Sequence, residues 1–170
     1  MIIFKIVLSI LIVFCATKIG IEIAKKYVLR ESELYEFKNA FKIMETKIRY
    51  TYEPLKEIFE YIAQTIETKN VSSFFKIASE KLETVSAKRA WEEAIEGVNF
   101  NLNKEDIIDI KGFGKLLGKT DKIGQMSEIE LVVSLIDKQI GQASKEREKN
   151  EKLYKKIGLI FGIGLVIILI

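Results

Sequence analysis

Residues 34–48 read LYEFKNAFKIMETKI, and this stretch decides the fold class. Its apolar side chains recur at intervals of three and four residues, at Leu34, Phe37, Phe41, Met44 and Ile48. This spacing places them along one side of an α-helix and predicts a seam that packs against other helices. Elsewhere no alternation of polar and apolar residues lasts longer than a few positions. The sequence therefore predicts an all-α protein.

The composition of the 170-residue chain excludes several classes of function. It contains no His, which removes the commonest general base and the commonest metal ligand. A single Cys can form neither an intrachain disulfide nor a thiolate zinc site. The 27 Lys and Arg residues against 24 Asp and Glu residues leave a net charge of +3, which gives no nucleic-acid signature. We therefore expect a structural or interaction protein, with no catalytic residues, metal, cofactor or nucleic-acid partner.

Breaker and cap residues divide the chain into about six predicted helices. The first ends near Tyr50, because Pro54 disfavours helical backbone at the residue before it and suits the first turn of the next helix. Residues 69–70 are expected to close the second helix, with Ser72 or Ser73 capping the third. A fourth helix is expected over 87–97.

Two further helices complete the predicted bundle. Asn103 and Asp106 suggest a capping box at the start of the fifth. The sixth begins near Asp121 and continues the three-four spacing of the first helix through Ala143. We expect the long first and last helices to pair in an antiparallel helical bundle that the short helices complete.

Both ends of the chain are apolar enough to enter a membrane. Residues 1–24 and 157–170 are predicted transmembrane helices, and 25–156 are predicted to form one cytoplasmic bundle domain between them. A cleaved signal peptide is the less favoured interpretation of the first block, because no small-residue cleavage site follows it. The expected membrane-interface anchors are Lys18, Lys25, Lys26, Tyr154, Lys155 and Lys156.

The distribution of basic residues predicts the orientation of both spans. Lysines and arginines are concentrated after the first span and before the second, so the positive-inside rule places the middle of the chain in the cytoplasm. The basic run at 145–156 also suits contact with lipid headgroups.

Three patterns that could carry chemistry are better explained by structure. Gly112–Lys115 lacks the glycine spacing and the preceding strand of a phosphate loop. Asp106 with Asp109, and the glutamates of 92–96, are more typical of solvated helix faces than of metal or acid–base pairs. Trp91 is expected in the core rather than on a base-stacking platform.

Residues 116–125, LLGKTDKIGQ, form a predicted corner between the last two helices. The glycine after the leucines suits a helix C terminus, and the threonine or aspartate suits the N-cap of the next helix. The same residues would suit a partner-docking corner exposed at a bundle end, and the sequence leaves both interpretations open. The docking candidates here are Leu117, Gly118, Thr120, Asp121 and Gln125.

This corner resembles the LGxSD/TDxxxQ motif of the stage III sporulation protein AB family, with Thr120, Asp121 and Gln125 at matching positions. Residues 152–162, KLYKKIGLIFG, resemble the family's KxYxxLGxLxG run into a terminal apolar helix. The chain's length and its two apolar ends also fit the family, so the resemblance covers essentially the whole sequence.

A third stretch, residues 44–55, resembles the family's LExEIxYGxTPL segment. It adds Tyr50 and Pro54 to the docking candidates. The stretch departs from the family pattern at three positions, Lys47, Thr51 and Glu53.

The resemblance implies a role in sporulation. It suggests a non-enzymatic membrane platform, similar to the cytoplasmic domain of the type II secretion F protein, in a secretion-like channel between mother cell and forespore. The implied partners are a cytoplasmic secretion-type ATPase and other membrane components of the channel. The apolar ends and the basic run add membrane lipids as a partner, and the sequence leaves a homo-oligomer open. The implied location is the mother-cell side of the membrane around the forespore. The alternative is a two-span membrane signalling or scaffold protein unrelated to secretion.

Overall fold

The structure, a computed structural model, describes residues 2–51, 53–115, 117 and 122–169. These residues form six α-helices and no β-strand, which confirms the all-α prediction. The helices are α1 (Ile2–Tyr50), α2 (Leu55–Thr65), α3 (Lys69–Lys81), α4 (Ala87–Glu96), α5 (Lys104–Gly114) and α6 (Lys122–Leu169).

The chain divides into two compact units. The first, here called the paired-helix unit, comprises Met1–Glu31 and Gln142–Ile170. The second, the bundle unit, comprises Ser32–Gly141. The two long helices α1 and α6 therefore each contribute residues to both units, whereas α2 to α5 lie wholly in the bundle unit.

An aromatic cluster around Trp91 forms the core of the bundle unit. The Trp91 ring on α4 makes edge-on contacts with Phe74 of α3 at 4.7 Å and with Phe113 of α5 at 5.2 Å between ring centroids. Its indole Nε1–H donates a hydrogen bond to the Ile110 carbonyl at 2.9 Å, so the one polar atom of the ring is satisfied. Phe41 of α1 also packs against this ring. Four of the five predicted seam residues, Leu34, Phe37, Phe41 and Met44, are fully buried as their spacing predicts, whereas the fifth, Ile48, is half-buried near the end of α1.

The carboxylate of Glu33 ties α1 to the start of α3 and to the segment before α5. It is 1% exposed and accepts hydrogen bonds from Asn70 Nδ2 at 2.6 Å, from the Asn101 backbone N–H at 2.8 Å and from Asn101 Nδ2 at 2.9 Å. A buried carboxylate is costly unless its oxygens are hydrogen-bonded, and these three donors meet that requirement.

Two local predictions have different outcomes. The capping box of α5 is confirmed, because Asn103 accepts from the Asp106 backbone N–H and Asp106 accepts from that of Asn103. The predicted start of the third helix is wrong. α3 begins at Lys69, so Asn70 lies in its first turn and bonds Glu33 instead of closing α2.

Two glycines of α5, two residues apart, differ in their surroundings. A Cβ atom on Gly114 would lie 2.7 Å from Cγ of Trp91 and closer still to Cδ1, so the indole ring occupies the space a side chain would need. A Cβ atom on Gly112 would meet no atom within 4 Å. The glycine pair is thus explained at position 114 by close helix packing.

We expect Gly114→Ala to destabilise the chain by about 1–3 kcal/mol, because the new methyl group overpacks the core against Trp91. Gly112→Ala is the matched control and should stabilise α5 by about 0.5–1 kcal/mol, since alanine favours helix over glycine. Thermal melting of the two full-length variants in one detergent checks both values. Equal shifts for the two variants would contradict the packing argument.

Candidate membrane and partner interfaces

Small residues bring α1 and α6 into close antiparallel contact within the paired-helix unit. A Cβ atom on Gly20 would lie 2.5 Å from the Tyr154 carbonyl oxygen, and one on Gly158 would lie 2.8 Å from that of Ala16. One turn further along α6, a Cβ atom on Gly162 would lie 2.9 Å from the backbone of α1. Small residues four apart on each helix are the arrangement that lets two membrane helices approach closely.

The outward surface of this unit is apolar. Phe4, Ile10, Phe161 and Ile167 are each more than half exposed. Among the described residues one helix, the α1 stretch Phe4–Tyr50, is long and apolar enough to cross a membrane, with a mean hydropathy of 2.3 in its most apolar 18 residues. The uncharged run that ends α6 is shorter than such a window. The structure therefore provides one candidate span, near the N terminus.

Two reciprocal ion pairs join the same helices beyond the apolar segment. Arg30 Nη1 donates to Glu146 Oε2 at 2.7 Å, and Arg147 Nη1 donates to Glu31 Oε2 at 2.7 Å. Neighbouring residues of opposite sign on α1 thus meet neighbouring residues of opposite sign on α6. One partner of each pair is nearly buried, Arg30 at 6% and Glu31 at 9% exposed, whereas Glu146 and Arg147 are 47% and 44% exposed. Solvent therefore screens both pairs partly.

Glu151 of α6 belongs to the same network. Hydrogen bonds from Lys155 and Arg147 hold the pKa of its carboxyl below the ordinary value, and hydrogen bonds to Glu31 and Glu151 raise the pKa of the Arg147 guanidinium. Both groups therefore stay charged through the neutral range.

Three of the six predicted interface anchors contact another side chain, and for the other three the structure shows an exposed side chain. Tyr154 stacks on Tyr27 with ring centroids 5.9 Å apart, and Lys155 donates to Glu151 at 2.7 Å. The Lys18 ammonium lies 5.8 Å from the centroid of the Phe14 ring. The other three anchors, Lys25, Lys26 and Lys156, have exposed side chains.

Sequence reasoning missed the partners that hold the two helices together. Tyr27, Arg30 and Glu146 were not among the predicted site residues, although each contacts the opposite helix. A signal for the close approach was present at Gly158 and Gly162, which form a GxxxG pattern in an apolar segment.

The first predicted docking corner lies at the end of α1. Tyr50 is 75% exposed and Pro54 is exposed at the N-cap of α2. Lys47 Nζ donates to both carboxylate oxygens of Glu53 at 2.9 Å and lies 4.3 Å from the centroid of the Tyr61 ring. Two of the three departures from the family pattern, Lys47 and Glu53, thus form an ion pair with one another.

The second predicted corner is only partly described. Gly118, Thr120 and Asp121 lie outside the described residues. Leu117 is buried and Gln125 is half-buried. The docking role of this corner stays a prediction.

Three of the acidic residues considered for chemistry, Asp106, Asp109 and Glu93, have structural partners. Asp106 caps α5, and Asp109 accepts a hydrogen bond from Gln139 at 2.9 Å. Hydrogen bonds from Lys81 and then Arg89 hold the pKa of Glu93 below its ordinary value, so this carboxyl does not carry a proton near neutral pH. In the described ranges, no group of three or more acidic or Cys side chains is arranged to hold a metal ion.

The fold and these contacts define an all-α protein with one membrane-type helix and a helical bundle. The family model of stage III sporulation protein AB matches residues 5–170, and the chain belongs to that family. It is 31% identical over 169 residues to the stage III sporulation protein AB of Bacillus subtilis (strain 168), which covers 97% of this chain and 98% of the relative. A solved structure titled stage III sporulation protein AB (SpoIIIAB) is 27% identical, with a TM-score of 0.67 over 71% of this chain and 98% of the solved one.

We expect Gly158→Ala to separate α1 from α6, because the methyl group would contact backbone atoms that cannot rotate away. Gly164→Ala is the matched control, since a Cβ atom there meets no atom within 4 Å. Hydrogen exchange of residues 24–31 and 142–150, measured on the full chain in lipid nanodiscs, should become faster in Gly158→Ala alone. Unchanged exchange in Gly158→Ala would show that contacts other than the one at Gly158 hold the two helices together.

Proposed function

We propose that this member of the stage III sporulation protein AB family is a non-enzymatic membrane platform. Its role would be to hold a helical bundle at the membrane around the forespore, on the mother-cell side. The observation that carries the proposal is the paired-helix unit. Gly20 and Gly158 bring two helices together at backbone distance, while apolar side chains cover the outside.

Both helices of this unit are proposed to cross the membrane. The close pair supports this topology, because the apolar end of α6 then enters the bilayer alongside the candidate span of α1. The bundle unit would lie in the cytoplasm. The concentration of Lys and Arg after residue 18 and before residue 157 supports that side by the positive-inside rule.

The bundle unit is proposed to dock a cytoplasmic secretion-type ATPase and to link it to other membrane components of a secretion-like channel. The family's sporulation role and the two corner motifs support this partner class. The absence of His from the chain and the structural use of Asp106, Asp109 and Glu93 support a role without catalysis.

The proposed topology predicts which residues a membrane-impermeant maleimide can reach. In a Cys15→Ser background, Lys76→Cys and Lys104→Cys place single exposed thiols on the bundle unit. Both should be labelled only after cells are permeabilised. Labelling in intact cells would show that the bundle unit lies outside the cytoplasm. That result would favour the alternative, a two-span signalling or scaffold protein.

The proposed docking corner predicts that Asp121→Ala weakens ATPase binding by the full chain in nanodiscs at least about tenfold, a loss of about 1.4 kcal/mol. The melting temperature of the variant distinguishes docking from capping. Lost binding with unchanged melting supports docking. Unchanged binding with a stability loss of about 1 kcal/mol would show that Asp121 is a helix cap only. Glu130→Ala, which removes the same charge from an exposed part of α6, is the control for unspecific charge effects.

A further inference from the structure

The near-neutral net charge of the chain conceals an unequal division between its two units. The paired-helix unit contains eleven Lys and Arg residues but five glutamates, and it has no Asp. The bundle unit contains sixteen Lys and Arg residues against nineteen Asp and Glu residues. The whole positive excess therefore belongs to the unit whose surface is apolar.

The structure separates the charged residues of this unit by role. Three of its glutamates are used inside the helix pair: Glu31 and Glu151 bond Arg147, and Glu146 bonds Arg30. Lys155 is the one lysine that joins the network, through Glu151. The alternation of Lys and Glu along 145–156 thus does not neutralise the lysines, because arginine takes most of the acidic partners.

Four of the remaining lysines surround the tyrosine stack. Lys25 and Lys26 precede Tyr27 directly, and Lys152 and Lys156 lie two residues on either side of Tyr154. Since Tyr27 and Tyr154 stack on one another, all four lysines lie within about one helical turn, about 5 Å, of the same level along the pair. We call them the lysine girdle.

The girdle has the properties of a headgroup-binding surface. All four side chains are exposed, and none has an ion pair or hydrogen bond with a residue that the structure describes. Two nearby acidic residues, Glu22 and Glu148, also have no ion pair with a residue that the structure describes. Four lysines against two glutamates leave this level of the helix pair with a net positive charge. Tyrosines at the same level are typical of the membrane–water interface, and lysine stems extend their ammonium groups to headgroup depth.

We propose that the lysine girdle binds the headgroups of anionic phospholipids and so surrounds the helix pair with a layer enriched in them. The ligand is a phosphodiester in a bilayer, not free phosphate, because the four exposed cations are divided between two helices beside an apolar surface. The proposal rests on the membrane insertion of the paired-helix unit proposed above. Each lysine near an anionic surface contributes attraction equivalent to about a fivefold change in affinity, reduced by salt.

The test uses the full-length chain reconstituted in phosphatidylcholine bilayers with trace spin-labelled lipids. The fraction of each label that the protein immobilises gives the preference for phosphatidylglycerol over phosphatidylcholine. We expect a preference of about fivefold or more, which salt reduces. Both leaflets have the same lipid composition, so the result does not depend on the chain's orientation. If the lysines only direct the orientation of the spans during insertion, the native chain will show no preference between the two lipids.

Two matched variants sharpen the test. The fourfold variant K25Q/K26Q/K152Q/K156Q should lose the preference, and the corresponding fourfold arginine variant should keep it. The control K76Q/K88Q/K104Q/K138Q removes four exposed lysines from the bundle unit and should leave the preference unchanged.

Three results would overturn the proposal: equal immobilisation of both lipids by the native chain, equal loss in the girdle and control variants, or displacement of phosphatidylglycerol by inorganic phosphate but not by chloride at equal ionic strength. Failure of the underlying topology is distinguishable from these. In that case the native chain would immobilise neither lipid and would be extracted by alkaline washing.

Discussion

The continuity of α1 is the constraint on which both units depend. This helix runs without interruption from Ile2 to Tyr50, because no proline falls within it. Its first part supplies Gly20 and Tyr27 to the contact with α6 in the paired-helix unit. Its second part supplies Phe37 and Phe41 to the aromatic core of the bundle unit. One continuous helix therefore contributes packing residues to both units.

Each of the two units is stabilised internally by a different physical force. The bundle unit buries large aromatic side chains around Trp91, and the removal of this apolar surface from water drives its folding. The paired-helix unit has small residues at its contact and apolar side chains outside. In a bilayer such a pair gains little from the hydrophobic effect and depends on close van der Waals packing, to which the ion pairs of Arg30 and Arg147 are added.

Much of the secondary structure could be predicted because its signals are local. The Pro54 boundary, the Asn103 capping box and the seam of α1 each depend on residues within a few positions of one another. The start of α3 could not be predicted in the same way. Asn70 looked like the end of one helix, but Glu33, 37 residues earlier in the chain, accepts its side-chain hydrogen bond. The candidate interfaces show the same difference between local signals and long-range contacts. The exposed Tyr50 was predicted from its local motif, whereas the ion pairs of Arg30 and Glu31 with a distant part of the chain were not.

Composition and spacing along the chain were enough to establish that this protein is helical, that its ends are apolar and that it contains no His. Those properties follow from composition and from spacing of three and four residues, which need no knowledge of long-range contacts. The packing of α1 against α6 fixed which charges are paired between the two helices. Glu146 lies near lysines of its own helix, but antiparallel packing placed it beside Arg30 and placed Arg147 beside Glu31. Glu151 instead pairs within α6, with Arg147 and Lys155 four residues to either side. The lysines around Tyr27 and Tyr154 were left exposed because partner choice depends on which helix faces meet, and sequence distance does not record this.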